Sequence, residues 1–305
     1  MRSFSSSLSR RSILAAAPAA GCAAAGVREE YLPPQGLETP SESVMLSMTD
    51  VGAGVHFTAR LCRYPAHGVA WLWTHVQTPD GFFEFVDHAA ACGGDATPEG
   101  VRVSYADAAG VLTFARDGAT ETPQRATLAA RVSLGTGGSL AGDFSFTPTL
   151  MRAGLLPGRV EAFGAVEGEL RINGRTMQLR GNGQFHEQRQ TEARFTTPFA
   201  FATLWGEDVG VTMLQIPGDS GGYILRTGQA ARPGRVQFST PGEPRLLRID
   251  FGPDDFLEGR AIAVRRYTIS LYGQAWRGAF VTAELGGHVL HGSVNDWRPD
   301  LLFAS

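Results

Sequence analysis

The chain has 305 residues, 43% of them hydrophobic, with 27 basic against 30 acidic side chains and a formal net charge of -3. That supplies apolar material for one large or two medium cores and excludes an intrinsically disordered chain. The basic residues are scattered, which excludes the electrostatic footprint of a nucleic-acid binder, and all are arginine, which excludes Schiff-base or general-base chemistry through lysine.

In chain order, Ser9-Arg10-Arg11-Ser12-Ile13-Leu14 sets paired arginines ahead of a mild apolar run from 13 to 25. This arrangement resembles a twin-arginine export signal, so residues 1–26 are expected to be a targeting segment and the protein to be periplasmic or envelope-anchored. The run is too short for a membrane-spanning helix, which needs about 20 residues. Cleavage after Ala25 and cleavage before Cys22 both stay open; in the second case a lipidated Cys22 is a membrane tether. Residues 27–43 read as a proline-bearing linker.

From residue 44 strand signals follow one another almost to the end. Val55, Phe57, Ala59 and Leu61 alternate strictly with their neighbours, and Trp71, Trp73 and His75 share a face of the next run. Pro79-Asp80-Gly81 marks a hairpin turn, and further strands are predicted over 82–86, 101–105, 111–116, 126–134 and 140–146. Gly135-Thr136-Gly137-Gly138 is a turn, with no helix after it to hold a phosphate. Proline and glycine break the pattern over 147–160, which reads as the excursion between two halves. A second series is predicted over 166–172, 177–190, 199–204, 210–215, 222–226, 245–251, 261–271, 279–285 and 287–291, with 218–222 as a turn. Short strands with turns about every ten residues indicate antiparallel sandwich or barrel architecture. The expected fold class is all-β with two tandem domains, 44–165 and 166–305.

Cys62 and Cys92 leave one disulfide or two free thiols open. The seven histidines include no pair at the spacing of a helical zinc site, and His288 and His291 point to opposite faces of a strand. No metal and no cofactor are expected.

The unusual segment is Gly181-Asn182-Gly183-Gln184-Phe185-His186-Glu187-Gln188-Arg189-Gln190, which follows an Asn173-Gly174 hairpin turn. A strand here carries Gln184, His186, Gln188 and Gln190 on one face and Phe185, Glu187 and Arg189 on the other. Buried polar groups need partners, so such a cluster marks a candidate site. Which face points inward stays open. His186, Glu187, Gln188 and Arg189 are the candidate catalytic residues. Glu187 is the acid if desolvation keeps it protonated; if Arg189 pairs with it, His186 becomes the better proton donor.

This strand, together with Phe199-Ala200-Phe201-Ala202-Thr203-Leu204-Trp205-Gly206-Glu207-Asp208, resembles the lipocalin-like superfamily of carotenoid 1,2-hydratase and AttH-type proteins. The resemblance implies two lipocalin-like β-barrel or sandwich domains with an apolar cavity near their junction, and hydration or ring-closure of apolar substrates. In the hydratase branch the strand reads His-Asp-His-Asn-Trp; His186 and Glu187 match its first two residues, while Gln188 and Gln190 replace its second His and its Trp. The expected activity is cofactor-free proton transfer, as a hydratase-like lyase or an isomerase/cyclase, on an isoprenoid- or polyketide-like molecule. The alternative is a non-catalytic envelope protein that carries a lipophile. In either case Trp71, Trp73, His75, Trp205, Tyr272 and Trp276 are expected to contact a hydrophobic small-molecule ligand, and a monomer is expected.

Overall fold

Alternation of apolar and polar residues makes most of the described residues strand. The computed structural model describes residues 40–303 apart from 93–95, 135–136, 154–157 and 192–194, so the predicted export segment and most of the predicted linker lie outside the described residues. The first unit holds β1 (Ser41–Asp50), β2 (Val55–Tyr64), β3 (Val69–Thr78), β4 (Gly81–Ala91), β5 (Thr97–Glu99), β6 (Arg102–Ala106), β7 (Leu112–Ala119), β8 (Thr122–Ser133), β9 (Ser139–Ala153), β10 (Arg159–Ile172) and β11 (Arg175–Gln190). They form one antiparallel sheet in the order β4-β3-β2-β1-β11-β10-β9-β8-β7-β6-β5. The sheet curls over a core in which Val44, Phe57, Leu72, Phe114, Phe146 and Phe185 meet.

The second unit is a closed barrel of β12 (Phe199–Trp205), β13 (Val209–Ile216), β14 (Asp219–Arg226), β15 (Arg232–Phe238), β16 (Arg245–Gly252), β17 (Asp255–Leu271), β18 (Gln274–Leu285) and β19 (His288–Trp297). Its interior is filled by small and branched side chains such as Ala202, Val211, Ile249 and Val281. A single turn of helix, α1 (Pro299–Leu302), follows, and Leu302 and Phe303 pack against this core.

Two β units were expected, and two are found. The boundary is corrected. It falls between Gln190 and Phe199, not near residue 165, because β11 lies between β1 and β10 and supplies the hydrogen-bonding partner of the chain's first strand. The excursion expected over 147–160 is shorter, since β9 runs on to Ala153 and β10 starts at Arg159. Pro148 does not end β9 because it sits at a register irregularity, opposite Gly164. The segment 218–222 is a turn only at Gly218, after which β14 begins at Asp219. Strands β5 and β15 carry no clear alternation and were not expected. The Asn173-Gly174 turn is present, with φ of 50° and 83°, the positive pair that a two-residue hairpin loop demands. Cys62 is buried and Cys92 half-buried, and no disulfide joins them.

Candidate functional site at the junction of the two units

The strand with the polar run, β11, divides its side chains as a period of two requires. Phe185 and Glu187 point into the curled sheet. Gln184, His186 and Gln188 point out of it, and all five are buried. The outward set is buried because the barrel packs on that face: β11 meets β12, and β1 meets β19.

On the outer face, cross-strand pairing places Glu161 beside His186, Arg159 beside Gln188 and Phe163 beside Gln184. Arg159 is the hub. Its guanidinium donates to Glu161 (Nε–Oε1 2.7 Å) and approaches Gln188 Oε1 at 3.3 Å and His186 Nδ1 at 3.3 Å. A guanidinium only donates, so Nδ1 is the acceptor and the imidazole proton sits on Nε2. From the barrel, Thr212 (Oγ1–Oε2 2.8 Å) and the Tyr223 hydroxyl donate to the same Glu161 carboxylate. Burial and the Glu161 charge hold the Tyr223 phenol well above its ordinary pKa, so it stays a donor. Phe201 stacks under Arg159, the guanidinium carbon 5.0 Å from the ring centre. One network therefore joins β10 and β11 to β13 and β14.

Beside it lie buried polar atoms that lack a partner among the described residues. Both ends of the Gln184 amide are in this state, as are Thr203 Oγ1, Trp205 Nε1 and Asn295 Oδ1. Gln184 is on the sheet; the other three are on the facing strands β12 and β19. Such groups are costly to bury unless something binds them.

The same face continues into an aromatic seam. Successive strands set His186, Met45, Arg60 and Trp73 in a cross-strand row. Three strand spacings separate its ends, roughly 14 Å. Met45 and Arg60 are only half-buried. Arg60 donates to Ser43 Oγ (3.0 Å) and lies 4.9 Å from the Trp73 ring centre. Trp73 meets Trp276 at 5.4 Å between centroids, and Trp71 meets Phe195 at 6.0 Å and Tyr272 at 6.4 Å. His75 stacks on Tyr267 at 4.2 Å. Complete burial lowers His75 to about 3, and His88, which accepts from Trp73 Nε1 at 2.8 Å, falls to about 4, so both rings are neutral near pH 7.

The expected site residues thus separate. His186 and Gln188 face the junction. Glu187 lies on the opposite face, held by Arg116 (Nε–Oε2 2.5 Å) and the Tyr105 hydroxyl. Of the two alternatives left open for Glu187, pairing is the one found, but with Arg116 and not with Arg189, which is exposed and pairs with Glu42 at 3.6 Å. The physical reason is position on the pleat. Glu187 is enclosed by the curled sheet, where β6 and β7 bring Tyr105 and Arg116, whereas Arg189, two residues on, is exposed. Trp71, Trp73, Tyr272 and Trp276 form one cluster with His75 at its edge, and Trp205 belongs to a second, smaller cluster with Phe163, Tyr223 and Leu225. Arg159, Glu161, Thr212 and Tyr223 were missed. Arg159 stood at the end of a segment read as loop and Glu161 just beyond it, and only their separation by one residue, which suits a strand face, hinted at a pair.

No family model matches the chain, and no curated protein matches it either. Solved structures do. An AttH-type protein from Nitrosomonas europaea superposes with a TM-score of 0.60 at 14% identity over 88% of this chain and 98% of that one. The chain has the AttH-type fold. CghA, also solved with Sch210972, matches at a TM-score of 0.55 and 12% identity, over 85% of this chain and 88% of that one. Kievitone hydratase from Nectria haematococca matches at 0.51 and 7%, over 85% and 89%. In the AttH-type fold of this chain, the junction between curled sheet and barrel is where the buried polar network and the aromatic seam meet.

Proposed function

We propose that the protein is a cofactor-free enzyme that binds an elongated, largely apolar molecule of isoprenoid or polyketide type at the junction and acts on it by proton transfer, as a hydratase or a cyclase/isomerase. The observation that carries this is the fully buried Gln184 amide, unpartnered at both ends among the described residues, beside a His186 whose tautomer is set by Arg159. The apolar body of the substrate lies along Trp73, Trp276 and Tyr272, whose ring faces also suit developing positive charge. Its oxygen, or the attacking water, is held by Gln184 and Gln188. His186 moves the proton through Nε2, a role suited to imidazole. Arg159 and Glu161 are positioning residues, and the kievitone hydratase that shares the fold agrees with a catalytic use of it.

One observation favours a carrier instead. Glu187, the acid suggested by the sequence, is neutralised by Arg116 away from the junction. Extracting the purified protein and analysing the extract by mass spectrometry identifies the bound lipophile; incubation then tests turnover. For an enzyme, wild type converts a precursor of that molecule, His186→Ala loses conversion by about a hundredfold or more, and affinity stays within a few-fold. An unaltered lipophile that wild type and His186→Ala hold equally well identifies a carrier.

Export belongs to the same proposal, with Arg10 and Arg11 as its signal. Replacing both by lysine is expected to hold the precursor in the cytoplasm, read by cell fractionation.

A further inference from the structure

The barrel has a hollow of its own, bordered by Tyr267 of the aromatic seam. It occupies about 140 Å³ at one end of the barrel. Its inner wall is apolar: Ala261, Ala279, Val281 and Val294 belong to the barrel core and are buried. Its rim carries three guanidiniums, from Arg245, Arg266 and Arg277, against two carboxylates, from Glu243 and Asp296, which leaves one positive charge in excess.

Arg245 is the decisive group. It is 5% exposed, it lines the hollow, and Phe238 and Phe303 hold it with ring centres 5.4 and 5.1 Å from the guanidinium carbon. Nη2 donates to Asp296 Oδ1 at 2.8 Å, while Nε and Nη1 have no partner among the described residues. A buried guanidinium with two unanswered donor nitrogens is short of acceptors and can donate a charge-assisted hydrogen bond to a carboxylate oxygen. Burial also lowers the Arg245 pKa and raises that of Asp296, the expected mark of a pair short of counter-charge and solvent.

We propose that this barrel end is a second ligand site, for a small monocarboxylate bearing a ring or a short branched aliphatic tail. The carboxylate meets Arg245 with help from Arg277, and the tail lies against Ala279, Val281 and Val294. A hollow of this volume suits a molecule of about benzene size. This inference does not rest on the function proposed for the junction.

Benzoate is a suitable probe, titrated calorimetrically into the full chain at pH 7 and low salt, with benzyl alcohol as the uncharged control of the same shape. One benzoate site is expected, with benzyl alcohol at least about tenfold weaker. Arg245→Gln is expected to weaken benzoate by about ten- to a hundredfold, the value of a charge-assisted hydrogen bond. Should that variant not fold, the exposed Arg277→Gln carries the test, with a loss of about two- to fivefold that shrinks as salt is added. His186→Ala is expected to leave benzoate binding unchanged, which separates this site from the junction. The proposal is overturned if folded wild type gives no saturable heat up to about 10 mM benzoate, a limit weaker than any specific site of this kind. It is equally overturned if His186→Ala rather than the arginine variants abolishes binding.

Discussion

Glu187 and His186 are neighbours in sequence with opposite surroundings, and single substitutions should separate them. Glu187, Arg116 and Tyr105 form a buried set inside the curled sheet. Glu187→Gln leaves the Arg116 charge without its counter-ion, so a loss of about 3 kcal/mol in urea denaturation is expected, with ligand affinity at the junction unchanged. A Glu187→Gln variant of normal stability and lost affinity would place that carboxylate in the binding site after all. His75 gives a second test at this scale. Its pKa is depressed by burial from 6.5 to about 3, so below pH 6.5 the unfolded chain binds a proton that the folded chain refuses. Stability should therefore fall as pH drops from 6.5 towards 3, by about 1.4 kcal/mol per pH unit at most for this one group. His56 and His88, both lowered to about 4, add to the slope with the same sign. Urea midpoints at pH 7 and 4.5 read the slope, and His75→Phe, which keeps an aromatic ring over Tyr267, should reduce it.

At the scale of the element, β11 is shaped by glycine as much as by its polar residues. Gly183 stands opposite Gly164 of β10 and packs against the backbone of β1, where a Cβ would overlap the Ser47 carbonyl oxygen. Gly164 is equally crowded, against the Thr147 carbonyl, beside the register shift at Phe163. These contacts let the sheet bend tightly enough to curl, and the bend turns the outer face of β11 towards the barrel. Gly183→Ala must push β1 and β11 apart. A loss of about 2–4 kcal/mol is expected, with protection of the β1 amides reduced in hydrogen exchange; unchanged exchange in β1 would remove this account of the bend.

For the whole molecule, the two units are held together by the aromatic seam and by the Arg159–Glu161–Tyr223 network. Trp73 has partners on both sides, Arg60 and His88 in the sheet and Trp276 in the barrel. Trp73→Ala should cost about 3–5 kcal/mol through cavity formation. Because the loss falls on the junction, calorimetry should show one cooperative transition in wild type broadening or splitting in the variant. A single sharp transition at lower temperature would mean that the units do not unfold separately.

Much of this architecture is written locally. Alternation along 55–61 and 69–76, the Asn173-Gly174 turn and the regular spacing of turn residues specify antiparallel strands, because period and turn chemistry are properties of neighbouring residues. The concentration of polar side chains over 184–190 was likewise visible, and it did mark a buried polar strand. What the local pattern does not contain is the partner of each strand. That β1 pairs with β11, some 140 residues later, is decided by closure of the sheet, and it moved the unit boundary past Gln190. The same long-range packing determined that Arg116 and Tyr105, from β7 and β6, take Glu187, and that Arg159, Thr212 and Tyr223 assemble around Glu161 beside His186. A period of two separates the two faces of a strand but does not rank them; only the core on one side and the barrel on the other gave His186 and Glu187 their different surroundings.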